Sequence, residues 1–327
     1  MPAMKTLSRR RFLETLGASA AAGALAGCQR EKHGNATLPV SDWRAWNLPP
    51  EGALLPAPRG VTLAGEGTPA EALLVLDTAG RILCCRPESG EVLRQWRMPE
   101  TGVGKPEGIC ALRDGRTIVC DTHYHRILVF DARGQVTAQW GRYGTGQGEL
   151  IYPVGIAKDD AENLFVCEYG GNDRVQRWSR DGVWQAAFGK FGTAPGELQR
   201  PSGLCWHDGR VFVADAINNR VSIYRADNGE FLTACGHAPG ALDLPYGVIW
   251  NPAAAHGGGA LDVIEYGAGR LTRLDPDSGQ VLARYGQAGG GGAEGEFGTP
   301  WALCADATGH RLWIADTKNR RVVSLRV

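Results

Sequence analysis

The sequence predicts an all-β fold, a six-bladed β-propeller of four-stranded blades, on three observations. A Pro-x-Gly motif recurs along the chain, an apolar run ending in an acid follows every copy, and Gly-containing turns separate the later runs. Successive motifs lie 44 to 55 residues apart, a period suited to a propeller blade. The copies begin at Pro58, Pro106, Pro153, Pro201, Pro245 and Pro300, the last reading Pro-Trp-Ala.

Each unit has the same order of elements. The motif leads into a first strand, the second strand ends in the acid, an Arg four to six residues later opens the third strand, and a Gly turn leads to the fourth. An acid paired with an Arg in every unit is what stacking of equivalent repeats requires, so we expect the pairs to be structural. The pairs are Asp77 and Arg81, Asp121 and Arg126, Glu168 and Arg174, Asp215 and Arg220, Glu265 and Arg270, and Asp316 and Arg321.

The sixth unit reaches Val327 with only three strands. Residues 42–47, Asp-Trp-Arg-Ala-Trp-Asn, match the pattern of the fourth strands. We therefore expect this N-terminal segment to complete blade 6 and to close the ring, which removes an exposed strand edge.

The first 27 residues have the order of an export signal: basic residues, a short apolar run, and small residues before Cys28. Residues 8–13, Ser-Arg-Arg-Arg-Phe-Leu, resemble the twin-arginine motif, and residues 25–28, Leu-Ala-Gly-Cys, resemble a bacterial lipobox. The resemblance implies lipid on Cys28 and anchoring in the bacterial cell envelope, facing the periplasm. Gln29, where Asp would resemble a retention signal, favours the outer membrane. The predicted parts are a signal peptide (1–27), a lipidated Cys and polar tether (28–41), and one propeller domain (42–327).

Composition excludes some partners. The chain has 35 basic and 35 acidic residues, so it lacks the positive field that draws a protein to nucleic acid. The eight cysteines after Cys28 include no Cys-x-x-Cys pair, and several share repeat columns with Ala. We expect them to be small core residues and the domain to be a monomer.

Several motifs resemble NHL repeats: Pro-x-Gly-Ile-Ala, a strand running into Asp-Thr-x-Asn-x-Arg-Val, and Phe-Gly-x-x-Gly followed by Gly-Glu-Leu. The best copies are residues 106–150, 153–198 and 201–242, and the resemblance extends over 58–327. It implies the propeller fold but no single function. Amidating lyases with similar blades carry zinc-binding His at position x of the motif. This chain has none there, so the resemblance does not imply that activity.

In a propeller, the loop before each first strand and the turn after each second strand open at the same end of the central channel, here called the mouth. Position x of the motif therefore faces the mouth, as do the pairs Glu168-Tyr169 and Glu265-Tyr266, where the other blades have Asp followed by Thr or Ala. A binding mouth displays aromatic and polar groups. The predicted ligand-binding residues are Glu107, His123, Glu168, Tyr169, Tyr246, Glu265, Tyr266 and Trp301.

His123 and His125 are the one pair of His in a mouth turn, and zinc would need a further protein ligand. We predict no metal, no cofactor and no catalytic residue. The Gly clusters precede strands rather than helices, so they do not form a phosphate cradle.

These observations predict a lipid-anchored binding module for a protein, peptide or glycan. The alternatives are a propeller enzyme, a lyase or hydrolase that uses Glu168, Tyr169, Glu265 and Tyr266 at the mouth, and an accessory protein of an exported redox system.

Overall fold

The structure, a computed structural model, describes residues 36–68, 70–254 and 258–327. It contains six four-stranded antiparallel sheets; in five of them the strand order follows the chain outward from the channel, and in the sixth the outer strand comes from the N-terminal part of the chain. The prediction of an all-β, six-bladed propeller is therefore confirmed. Among the described residues, none belongs to a helix long and apolar enough to cross a membrane.

The strands are as follows. Strand β1 (Ser41–Asn47) precedes blade 1 in the sequence. Blade 1 is β2 (Pro58–Ala64), β3 (Ala72–Asp77), β4 (Arg81–Cys85) and β5 (Val92–Arg97). Blade 2 is β6 (Ile109–Ala111), β7 (Thr117–Asp121), β8 (Arg126–Phe130) and β9 (Val136–Trp140), with a 3₁₀ turn at Thr122–Tyr124. Blade 3 is β10 (Tyr152–Lys158), β11 (Leu164–Tyr169), β12 (Arg174–Trp178) and β13 (Trp184–Phe188).

Blade 4 is β14 (Pro201–His207), β15 (Arg210–Asp215), β16 (Arg220–Arg225) and β17 (Phe231–Cys235). Blade 5 is β18 (Pro245–Asn251), β19 (Ala260–Glu265), β20 (Arg270–Leu274) and β21 (Val281–Tyr285). Two short parallel strands, β22 (Gln287–Ala288) and β23 (Glu296–Phe297), lie in the loop before blade 6. Blade 6 is β24 (Pro300–Ala305), β25 (Arg311–Asp316) and β26 (Arg321–Arg326), completed by β1.

Ring closure follows the prediction. Strand β1 pairs antiparallel with β26, and Trp46 lies opposite Val322. The propeller also begins earlier than predicted, because Leu38 is buried and its N–H donates to the Arg284 carbonyl at 2.8 Å. The end of the segment assigned to a polar tether is thus part of the domain. The predicted signal peptide and Cys28 lie outside the described residues.

The Gly of the motif is explained by how tightly the first strands of neighbouring blades pack around the channel. A Cβ on Gly203 would lie 2.4 Å from the Tyr246 carbonyl oxygen of the next blade, and one on Gly108 would lie 2.6 Å from the Val154 carbonyl oxygen of the next blade. Any side chain at these two positions would force backbone or a fully buried group to move. Position x, which directly precedes each Gly, is therefore held at the channel.

The eight cysteines from Cys84 to Cys304 are free thiols, and most are buried. Cys120 and Cys167 are fully buried in the column that holds Ala214 in blade 4. Burial raises the pKa of Cys167 to about 12. These thiols therefore act as small core side chains, as the sequence predicts.

Candidate functional site

The acid–arginine pairs form in all six blades and fix the mouth end of each blade. Every acid is 0 or 1% exposed. In blade 4, the Arg220 Nε donates to Asp215 at 2.8 Å, and the same carboxylate accepts the N–H of Gln199 at 2.6 Å. Each carboxylate thus joins the end of the second strand to the start of the third, and in blades 3 to 6 also to the loop before the first strand. We call these six pairs the acid–arginine column, and the structural interpretation of them holds.

Glu168 and Glu265 belong to that column and have no exposed surface. Glu168 accepts hydrogen bonds from Arg174 at 2.6 Å, from Gln176 at 2.8 Å and from the Ile151 N–H at 2.6 Å. Glu265 is bonded in the same way to its Arg, to a Thr hydroxyl and to a loop N–H. The oxygens of these two carboxylates are therefore occupied by the blade itself, and their contact with a ligand stays a prediction.

The tyrosines that follow them are at the mouth. Tyr266 stacks on Tyr246 with 4.7 Å between ring centroids, and Trp301 stands edge-on to both at 4.8 and 5.7 Å. Tyr246 is buried at 3% exposure, whereas Tyr266 and Trp301 are half-buried. These three residues, here called the aromatic platform, come from blades 5 and 6. They provide a rigid surface suited to stacking or apolar contact.

Tyr169 of blade 3 is connected to the platform through Arg200, which lies in the loop before blade 4. The Arg200 guanidinium carbon lies 4.0 Å from the centroid of the Tyr169 ring, and its Nε donates to the Tyr246 hydroxyl at 3.0 Å. The ring of Tyr152, also in blade 3, stacks on the ring of Tyr169 with 5.2 Å between their centroids. The aromatic surface therefore extends from blade 3 to blade 6.

Arg200 has an unusual backbone, with φ of 57°, and its N–H donates to Asp173 at 2.6 Å. Burial lowers the pKa of its guanidinium, but Tyr246, Tyr169 and Glu107 raise it by more. The side chain is thus a fixed cation at the mouth. Sequence reasoning missed it because it precedes the motif Pro, although a basic residue one position before that Pro was visible in the sequence.

Glu107 and Arg59 hold position x in blades 2 and 1. Glu107 is 6% exposed, and its Oε1 lies 3.9 Å from the Arg59 Nη1, which is too long for a hydrogen bond. The Arg59 guanidinium lies 3.7 Å from the Trp301 ring centroid. The Glu107 Oε2 and the Arg59 Nε and Nη1 are buried without a hydrogen-bond partner. Buried polar atoms of this kind are uncommon in folded proteins, and the acid–arginine column also has two, the Asp121 Oδ1 and the Arg126 Nη2.

The charge of Glu107 reaches the aromatic surface. Burial raises the pKa of Tyr169 to about 12, and the negative charge of Glu107 adds to that rise. The same two causes raise the pKa of Tyr246. Both phenols therefore stay protonated at neutral pH.

His123 lies at the edge of this surface. Its Nδ1 is 3.2 Å from the Lys105 carbonyl oxygen, and its ring centroid is 5.7 Å from that of Tyr152. His125 contacts Tyr152 at 5.1 Å and Tyr143 at 4.8 Å. Within residues 36–68, 70–254 and 258–327, no three His, Cys, Asp or Glu side chains are grouped to hold a metal ion.

Fold and mouth together define a six-bladed β-propeller with an aromatic, Arg- and Glu-containing mouth. No protein-family model matches the chain. Parts of it match NHL-repeat proteins: RING finger protein nhl-1 of Caenorhabditis elegans at 46% identity over 52 residues, and Protein brain tumor of Drosophila melanogaster at 29% over 80 residues. These matches cover 16% and 24% of this chain, and only 5% and 8% of those proteins.

Solved structures share the propeller fold along most of the chain. Virginiamycin B lyase from Staphylococcus aureus has a TM-score of 0.60 and 16% identity, covering 88% of this chain and 99% of the lyase. A protein of unknown function from Bacteroides thetaiotaomicron has a TM-score of 0.58 and 18% identity, covering 83% of this chain and 69% of that one. At such identities the likeness concerns the fold alone.

Proposed function

We propose that this protein is an exported, lipid-anchored binding module whose mouth takes up a protein, peptide or glycan ligand. The observation that carries the proposal is the aromatic surface at the mouth, formed by the platform and Tyr169. Repeats of one fold need the same residues in every blade, yet these aromatic residues occur in only some blades. The rings of Tyr169, Tyr266 and Trp301 are half-buried, so they are oriented by neighbours and remain in part accessible, as in a preformed binding site.

A capture experiment tests the mouth. Immobilised full chain should retain an envelope component, identified by mass spectrometry, and Tyr266→Ala or Trp301→Ala should reduce its retention at least about tenfold, as for an aromatic hot spot. His207→Ala is the matched control, because His207 stacks on Trp250 at the opposite end of blade 4. Loss of retention in His207→Ala, with normal retention in both mouth variants, would put the binding surface on the other face.

The export part of the proposal rests on the motifs around Arg9, Arg10 and Cys28. Cys28→Ser should abolish palmitate labelling of the full chain, because the thiol is the acceptor that the lipobox resemblance implies. Arg9→Lys together with Arg10→Lys should leave the precursor in the cytoplasm. Labelling that persists in Cys28→Ser contradicts the anchor, and normal export of the double Lys variant contradicts the twin-arginine route.

The enzyme alternative takes support from the fold that the chain shares with virginiamycin B lyase. A lyase needs a general acid or base that is free to move a proton. Glu168 and Glu265, the carboxylates predicted for that role, are held by arginines and loop N–H groups. We therefore favour binding over catalysis.

A further inference from the structure

Three polar atoms at the bottom of the mouth lack hydrogen bonds although they are buried. They are one acceptor, the Glu107 Oε2, and two donors, the Arg59 Nε and Nη1. The Glu107 side chain is about nineteen-twentieths buried, at 5% exposure, and that of Arg59 is at 12%. Leaving such atoms unpaired costs free energy, and a ligand that pairs them recovers it.

The two side chains also restrict the charge of the ligand group. Glu107 and Arg59 carry opposite charges 3.9 Å apart, so together they are neutral, and Arg200, the further cation of the mouth, is directed at Tyr169 and Tyr246. A carboxylate would meet the charge of Glu107, and an ammonium would meet that of Arg59. A neutral group that donates on one side and accepts on the other fits this pair, and a secondary amide has one N–H and one carbonyl oxygen in that arrangement.

We propose that the mouth binds a peptide segment through one backbone amide that separates Glu107 from Arg59, which are 3.9 Å apart without it, with an apolar or aromatic side chain of the peptide on the aromatic platform. The amide N–H donates to the Glu107 Oε2, and the amide oxygen accepts from the Arg59 guanidinium. The platform is adjacent, because Arg59 itself lies over Trp301 at 3.7 Å. This inference rests on the proposed binding function and specifies its ligand.

A peptide fits better than a glycan. A sugar presents several hydroxyl groups, each of which needs a partner when it is buried. Among the described side chains at position x, on the platform and at Tyr169, the buried atoms without a hydrogen bond are the three on Glu107 and Arg59. These three atoms are enough to pair the N–H and the carbonyl oxygen of one amide, but they are too few to pair the hydroxyl groups of a sugar ring.

Two small probes with one phenyl ring each test the inference: N-methyl-3-phenylpropanamide and its ester analogue methyl 3-phenylpropanoate. The ester has an oxygen in place of the N–H, and this oxygen faces the Glu107 carboxylate. By ligand-observed NMR titration of the full chain, we expect the amide to bind about tenfold more tightly than the ester, the range for losing a hydrogen bond to a charged group.

Glu107→Gln should bring the ratio of the two affinities close to one, because the Gln amide can donate to the ester oxygen. Arg59→Lys should weaken both probes alike, since both have the carbonyl oxygen. Glu88→Gln, an exposed acid in the turn at the other end of blade 1, is the control and should leave the ratio unchanged. Thermal melting of each variant checks that it is folded.

The outcomes separate the inference from the proposed function. If both probes bind equally and Tyr266→Ala weakens both, the mouth binds ligands but the amide assignment is overturned. If neither probe binds, the amide assignment is likewise overturned, and the capture experiment decides the binding function by itself. Methyl β-glucopyranoside, a sugar without an amide, that binds more tightly than the amide probe in a manner dependent on Glu107 would assign the site to a glycan instead.

Discussion

Two sets of residues occupy the mouth end of every blade: the acid–arginine column and the residues at position x of the motif. The column has the same chemistry in all six blades, and its carboxylates are buried and bonded. Position x differs in each blade; its Glu107 and Arg59 leave three buried atoms without partners, whereas the described column leaves two, the Asp121 Oδ1 and the Arg126 Nη2 of blade 2. The contrast teaches that uniform positions in a repeat protein stabilise the blades, and it supports our proposal that the variable ones serve a ligand.

The largest expected effect comes from opening the ring on which both sets depend. Starting the domain at residue 52 removes β1, Leu38 and Leu48, both buried, and the partly buried Trp46. We expect a loss of at least about 3 kcal/mol in the free energy of unfolding, the scale of losing a large buried side chain. A domain that starts at Ala36 is the control. Equal melting temperatures of the two would show that β1 does not close the ring.

Breaking one column pair should have the next largest effect. Asp215→Ala leaves the Arg220 Nε and the Gln199 N–H without their acceptor. We expect a loss of about 3 kcal/mol in the free energy of unfolding, measured by urea denaturation. Ser202→Ala, at position x of the same blade, should cost less than about 1 kcal/mol. If the two variants lose the same stability, the contrast between column and position x does not hold in blade 4.

The smallest effect concerns the buried thiol column. Folding raises the pKa of Cys167 from 9.0 to about 12, so above about pH 9 the folded chain keeps a proton that the unfolded chain loses. The stability from this thiol is complete below about pH 9 and falls as the pH rises towards about 12. The original chain should therefore lose about 1 kcal/mol more of its free energy of unfolding between about pH 8 and about pH 10 than Cys167→Ala loses. An unchanged difference between the two chains over this range would refute the raised pKa.

The sequence was sufficient for the fold because repetition makes the pattern of strands, acids and arginines visible six times. It also located the mouth, and thereby Glu107, Tyr169, Tyr246, Tyr266 and Trp301. It could not show that Glu168 and Glu265 make the same kinds of bond as the aspartates, because a longer acid in a column looks like a functional change. Arg200 escaped notice because its role depends on contacts with two other blades, which no local pattern records.

Glu265 and Tyr266 are neighbours in the sequence, one in the column and one on the platform, and they allow the most direct test of the account. Free energy of unfolding and retention of the captured component should be measured for Glu265→Ala and Tyr266→Ala. We predict that Glu265→Ala loses about 3 kcal/mol of stability and, at a temperature where it is folded, retains the component. Tyr266→Ala should stay within about 1 kcal/mol in stability and lose retention. The reverse result, with the glutamate needed for binding and the tyrosine for stability, would contradict the division between column and mouth.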